Sequence, residues 1–187
     1  MRFFSCLVLA FCIFGNAALS ATDIFTVRSS DIYVIDGDTV GIGESRYRLA
    51  GIDACELGQQ ALNESSQYFD CGAVGTKFLQ SFLDGSVTIA VLGRDKYDRK
   101  LAIFYDQSGR DINGRMVLNG WAVAYYSNQY AETRNFLQDS NFAQSQGVGL
   151  WAGEFVMPSE HRKNPERSPR ASSPSLWDRL IAYIFSL

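Results

Sequence analysis

Acids and arginines at strand ends and corners are the residues here best able to do chemistry. Residues 34–40 read VIDGDTV, with Asp36 and Asp38 flanking Gly37 directly after a β-branched run. Taken alone, the heptad is an ordinary Asp-Gly corner between strands. Three further segments accompany it: RYRLAGIDACE at 46–56, RDKYDR at 94–99 and VAYY at 123–126. Each has a plain explanation by itself: an ion pair for Arg48, a solvated turn for Lys96-Tyr97-Asp98-Arg99, a loop start for Glu56. Together they contain what phosphodiester cleavage requires. Asp38 and Asp53 are hard oxygen donors suited to Ca²⁺. Glu56 is a carboxylate able to orient or deprotonate a water. Arg48 and Arg99 can fork onto phosphate oxygens and neutralise charge that grows in a transition state. The single histidine, His161, sits in a Pro/Ser/Arg-rich stretch, which argues against His-dependent nucleophiles and His-ligated zinc.

The elements that must position these groups follow from periodicity. Residues 25–53 alternate as strands do, with a hairpin corner at Gly43-Glu44-Ser45. Residues 54–71 read as a long, polar, irregular loop. Residues 72–83 read as a helix, with Val74, Phe78, Leu79 and Phe82 on one face and Gly85 beyond its end. Residues 86–105 are two strands around the charged corner, and 111–126 and 131–151 are two more helices, the second stopping at Gly147-Val148-Gly149. Three strands, a helix, two strands and two helices predict an α+β fold with a mainly β core. The expected form is a five-stranded OB-type Greek-key barrel with three helices.

The ends carry different messages. Residues 1–21 have one basic residue, Arg2, an apolar run, and small residues at Ala17, Ala18, Ser20 and Ala21, the layout of a cleaved secretory signal. The alternatives are a retained anchor, although the run is shorter than the ~20 residues a span needs, and a lipoprotein at Cys12, disfavoured by bulky Phe11. Export is expected, to the periplasm, the medium or the cell surface. Cleavage removes Cys6 and Cys12 and leaves Cys55 and Cys71, which read as one disulfide in an oxidising compartment, with two free thiols as the alternative. Net charge is −3, and loss of Arg2 makes it −4. No polybasic face is visible, so long-range attraction to a polyanion is not built in. Residues 22–157 are expected to be the domain, 158–174 a linker and 175–187 an amphipathic segment. In that last segment Trp177, Leu180, Ile181, Ile184 and Phe185 form a stripe too short to span a bilayer. Packing on the domain, disorder or weak contact with a membrane surface remain open for it.

From about Val34 to Trp151 the sequence resembles the staphylococcal nuclease, or thermonuclease-like, family. The family's DGDT turn is present as Asp36-Gly37-Asp38-Thr39, and its RL…D-x-P-E segment as Arg48-Leu49 followed by Asp53-Ala54-Cys55-Glu56. Its D-[RK]-Y-G-R corner is present as Asp95-Lys96-Tyr97-Asp98-Arg99. The resemblance implies Ca²⁺ bound by Asp38, Asp53 and the carbonyl of Ala54, water activated by Glu56, and phosphate bound by Arg48 and Arg99. It also implies nucleotide contacts from Lys96, Tyr97 and Tyr125, a corner-shaping role for Asp36, and hydrolysis of DNA and/or RNA to 3′-phosphate ends. A monomer is expected. The sequence departs from the family pattern at Ala54, Cys55 and Asp98, which replace Thr, Pro and Gly. The competing reading is a non-catalytic OB-type module that binds nucleic acid or protein. Retention of all five ionic positions weighs against it, since binding alone has no need of Asp38, Asp53 and Glu56 together. A surface-anchoring protein led by the C-terminal stripe is a third reading.

Overall fold

The alternating N-terminal run folds as strands, with one interruption. The computed structural model describes residues 23–125, 135–167 and 169. Strands β1 (Asp23–Arg28) and β2 (Ile32–Val34) are separated by a 3₁₀ turn at Ser29–Asp31. Next come β3 (Thr39–Ile42) and β4 (Ser45–Leu49), joined at the expected corner, where Gly43 takes φ +56°. Then follow β5 (Ile52–Ala54), β6 (Gln60–Leu62), β7 (Tyr68–Asp70) and helix α1 (Cys71–Phe82). Strands β8 (Ser86–Arg94) and β9 (Lys100–Tyr105) flank the charged corner. Helix α2 (Ile112–Leu118), strand β10 (Ala122–Ala124), α3 (Phe136–Gln146) and the short α4 (Pro158–His161) follow among the described residues.

Six strands form one mixed sheet in the order β1-β8-β9-β4-β3-β2, antiparallel except for the parallel β4–β9 pair. The sheet curls into an OB-like half-barrel with helices packed on it, an α+β fold as expected. Its core holds Val40, Leu49, Ile52, Ile89, Ile103 and Phe104 from the strands, against Ile112, Met116 and Phe136 from the helices. Each such side chain contributes roughly 1.5–3 kcal/mol by leaving water. A polar side chain, that of Asn113, is fully buried beside this core. Asn113 of α2 donates to the carbonyls of Ala50 and Ala102, at 3.0 Å each, and accepts the Phe104 N–H at 3.1 Å. It thereby pins the turn that leads into β5 to the middle of β9.

The expected barrel strands are present, two of them broken, at the 3₁₀ turn and at Ala50-Gly51, and three further short strands, β6, β7 and β10, bring the described total to ten. Two expectations need correction. The 54–71 stretch is not an irregular loop. It contains the β6–β7 hairpin, with Ala61 and Leu62 buried, and Leu62 exchanges backbone hydrogen bonds with Glu154. Nor is 111–126 one helix. Gly120 takes φ +72° with the Val148 backbone crowding its α-carbon, and residues 122–124 leave the helix to pair with β5.

Cys55 and Cys71 are joined by a disulfide, with α-carbons 5.8 Å apart, in a small buried cluster with Ala61 and Leu150. The predicted leader and the C-terminal stripe lie outside the described residues. Among those described, no helix is long and apolar enough to cross a membrane.

Candidate active site

Strand register gathers the first acids and arginine. In the β2–β3 corner the Asp36 carboxylate accepts the Asp38 N–H at 2.9 Å, so Asp36 shapes the turn. Thr39 pairs with Arg48 across β3–β4, and the Leu49 N–H donates to the Asp38 carbonyl at 2.8 Å, which puts Asp38 beside Arg48. On β5, Asp53 lies opposite Val123 of β10. A single Arg48 nitrogen, Nη2, then lies 2.7 Å from Asp38 Oδ2 and 2.8 Å from Asp53 Oδ1. Asp38 also accepts the Thr39 hydroxyl and the Ala54 N–H. Burial pushes the Asp38 carboxyl up to about 7; Arg48 opposes the rise, while Asp36 adds to it.

The charged corner supplies the second arginine. Asp95 caps the β8–β9 turn by accepting the N–H groups of Tyr97 and Arg99, and its other oxygen takes both Nε and Nη2 of Arg99. Burial alone would raise the Asp95 carboxyl, but these hydrogen bonds outweigh it and hold the group below its usual range. Lys96 and Arg99 both stand over the Tyr97 ring, at 4.9 and 5.5 Å from its centre. Asp98, where the family has Gly, takes φ +62°, a conformation Asp tolerates better than most residues. Its carboxylate pairs with Arg94 at 2.7 Å, so its charge is met by Arg94 on the strand before the turn.

Glu56 follows β5 and the disulfide. Its N–H donates to the Gln59 side chain and its carbonyl accepts the Gln59 N–H. Gln59 is itself buried and donates to the Val156 carbonyl at 2.7 Å. Asp38, Arg48, Ala54, Glu56, Lys96, Tyr97, Arg99 and Tyr125 all line one cleft of about 890 Å³, together with Arg46, Arg94 and Arg162. Asp53 reaches that cleft through the two arginines that hold it. Tyr97 and Tyr125 are exposed at its edge. Cys71 stays behind the site, bonded to Cys55 in the cleft wall.

One participant was invisible in the sequence. Arg162, at the end of α4 in the stretch expected to be a linker, donates to both oxygens of Asp53 at 2.9 Å each and to Glu56 Oε1 at 2.8 Å. Those hydrogen bonds raise its already high pKa further, against the effect of burial. A basic residue in a Pro/Ser/Arg-rich tail carries no local mark of such a role.

Two buried carboxylate oxygens converge on one cationic nitrogen, so Asp38 and Asp53 are chemically fit to hold a hard divalent cation. Among the described residues no three His, Cys, Asp or Glu side chains gather into a metal cluster. Further ligands would therefore be backbone carbonyls, such as that of Ala54, and water.

An OB-like half-barrel with acids and arginines gathered at its strand ends defines a nuclease-type hydrolase. The family model of staphylococcal nuclease homologues matches residues 46–153, and the chain belongs to that family. It is similar to the succinoglycan biosynthesis protein ExoI of Rhizobium meliloti (strain 1021), 31% identical over 65% of this chain and 63% of that protein. It is also similar to two proteins described as uncharacterized endonucleases. One, from Haemophilus influenzae, is 36% identical over 71% of each chain; the other, from Escherichia coli O157:H7, is 33% identical over 71% of this chain and 84% of its own.

Proposed function

We propose that the protein is an exported, Ca²⁺-dependent nuclease that hydrolyses phosphodiester bonds of DNA and/or RNA and leaves 3′-phosphate ends. The observation that carries the reading is the convergence of Asp38, Glu56, Arg48 and Arg99 on a single cleft, with Asp53 bound to Arg48 behind it. Asp38, Asp53 and the Ala54 carbonyl would hold the cation, which, when bound, supplies Lewis-acid charge neutralisation at the phosphate. Glu56 orients a water and takes its proton as the water oxygen bonds to phosphorus. The bond from phosphorus to the 5′ oxygen breaks, the leaving oxygen is protonated, and the 3′ side keeps the phosphate. A guanidinium has five N–H donors, so Arg48 and Arg99 retain donors for the phosphate beyond those given to the acids that orient them. Lys96, Tyr97 and Tyr125 offer charge and aromatic faces to the neighbouring nucleotides, a mode suited to single-stranded or flexible substrate. The leader-like N-terminus and the disulfide support export.

The test is cleavage of single-stranded DNA and of RNA by the purified protein, in Ca²⁺ and in chelator. Cleavage in Ca²⁺ alone, with 3′-phosphate ends, is expected, and Glu56→Gln should abolish it. Full activity in chelator would remove the metal assignment. Binding without cleavage in either condition would mark a non-catalytic module.

A further inference from the structure

Arg162 is placed by the fold. The segment before it is held by the Gln59 side chain on the Val156 carbonyl and by burial of Pro158. Beyond it, Arg167 pairs with Glu160 at 2.7 Å, and the Tyr68 hydroxyl donates to the Pro169 carbonyl at 2.9 Å. Between these anchors one side chain enters the cleft, and the hydrogen bonds it makes there end on Asp53 and Glu56.

That placement sets up a competition. Asp53 has two carboxylate oxygens and Arg162 uses both, one of them shared with Arg48. Counted as carboxylates, the three acids Asp38, Asp53 and Glu56 are paired directly with two guanidiniums, Arg48 and Arg162, an imbalance of one negative charge within this cluster. A divalent cation added with Arg162 still in place would turn that deficit into an excess of one positive charge. It would also have to share Asp53 oxygens already engaged by a forked guanidinium. With Arg162 withdrawn, cation and Arg48 together balance the three acids, and the Glu56 carboxylate is released toward the cleft.

We propose that Arg162 is a built-in competitor of the divalent cation. It holds Asp53 and Glu56 in the metal-free protein and is displaced when the metal binds, so that metal binding and withdrawal of the 158–167 segment are coupled. This rests on the Ca²⁺-dependent reading above.

The experiment is calorimetric titration of Ca²⁺ into the purified protein and its Arg162→Ala and Arg162→Lys variants, alongside amide exchange of residues 158–167 with and without Ca²⁺. Arg162→Ala should bind Ca²⁺ about tenfold or more tightly than the wild type, as expected when a charge-assisted fork no longer competes. Arg162→Lys, which keeps the charge and the apolar stem, should fall between them and preserves a readout if the alanine variant does not fold. Arg28→Ala, which removes an exposed arginine paired with Asp31 outside the cleft, should leave the affinity unchanged. Ca²⁺ should accelerate exchange in 158–167 of the wild type. Equal Ca²⁺ affinity in wild type and both Arg162 variants, or weaker affinity in the variants, would overturn the competition while leaving the metal reading standing. Absence of Ca²⁺ binding in every variant would overturn both.

Discussion

Gly72→Ala offers a test of how the frame positions Glu56. Gly72 lies in the first turn of α1, next to Cys71, and the Glu56 peptide rests directly on its α-carbon. A Cβ at this position would lie 2.7 Å from the Leu57 nitrogen and closer still to the Glu56 carbonyl, whereas ordinary contact begins at 3.4 Å. The obstacle is backbone, so the Glu56–Leu57 peptide must retreat by at least the difference, 0.7 Å. Displacing a catalytic group by about 1 Å costs on the order of 100-fold in rate, so kcat/KM should fall by roughly 10- to 100-fold. Stability should fall by up to about 2 kcal/mol. Overpacking costs roughly 1–3 kcal/mol, and alanine returns about 1 kcal/mol through helix propensity. Gly75→Ala is the control on the same helix, because its Cβ meets only the Trp121 carbonyl, at 3.5 Å. It should keep wild-type activity and melt slightly higher. The assay is steady-state cleavage with thermal melts on both variants, and Glu56→Gln in parallel. If Gly72→Ala kept wild-type kcat/KM while Glu56→Gln was inactive, the idea that this contact positions Glu56 would be refuted.

Arg48→Lys and Arg99→Lys should each lower kcat by about 100-fold or more, because a point charge cannot reproduce a planar fork. For Arg48 the loss should come with lower stability, since one nitrogen now bridges Asp38 and Asp53; a near-wild-type rate for either variant in single-turnover assays would remove that residue from the site. The Cys55→Ser/Cys71→Ser protein should lose roughly 3 kcal/mol, as expected for a 16-residue separation, which is about 6–12 °C in Tm for a chain of this size. Its turnover should fall several-fold at temperatures where it remains folded, less than for Gly72→Ala, because the β6–β7 hairpin and Gln59 still hold the loop. Turnover unchanged in the folded double variant would confine the disulfide to stability, and two free thiols by mass spectrometry in protein from the native host would remove the bond itself.

Much of the candidate site was legible because its parts are local. The DGDT corner, the Asp95–Arg99 turn and the acids after β4 announce themselves by residue type and spacing, and strand alternation says they sit at strand ends. Helix α1 was placed to within a residue at each end, since its apolar face and the Gly85 beyond it are written in neighbouring positions. The Cys55–Cys71 disulfide was legible on the expectation that residues 1–21 are a cleaved leader. What failed was non-local. Residues 122–124 have the apolar character of a helix tail, and only the free edge of β5 makes them a strand. The 54–71 stretch is polar, yet buried Gln59 and the backbone exchange between Leu62 and Glu154 order it from nearly a hundred residues away. Arg162 meets Asp53 across 109 positions of chain. Sequence by itself determined which chemical groups the protein owns and at which corners they stand, because turns, strand periods and caps depend on a few adjacent residues. Only the tertiary structure decided that Arg48 bridges two acids, that Glu56 rests on Gly72, and that an arginine from the C-terminal stretch reaches both Asp53 and Glu56. Those contacts depend on the distances between elements, which register and packing set and which no local run of residues encodes.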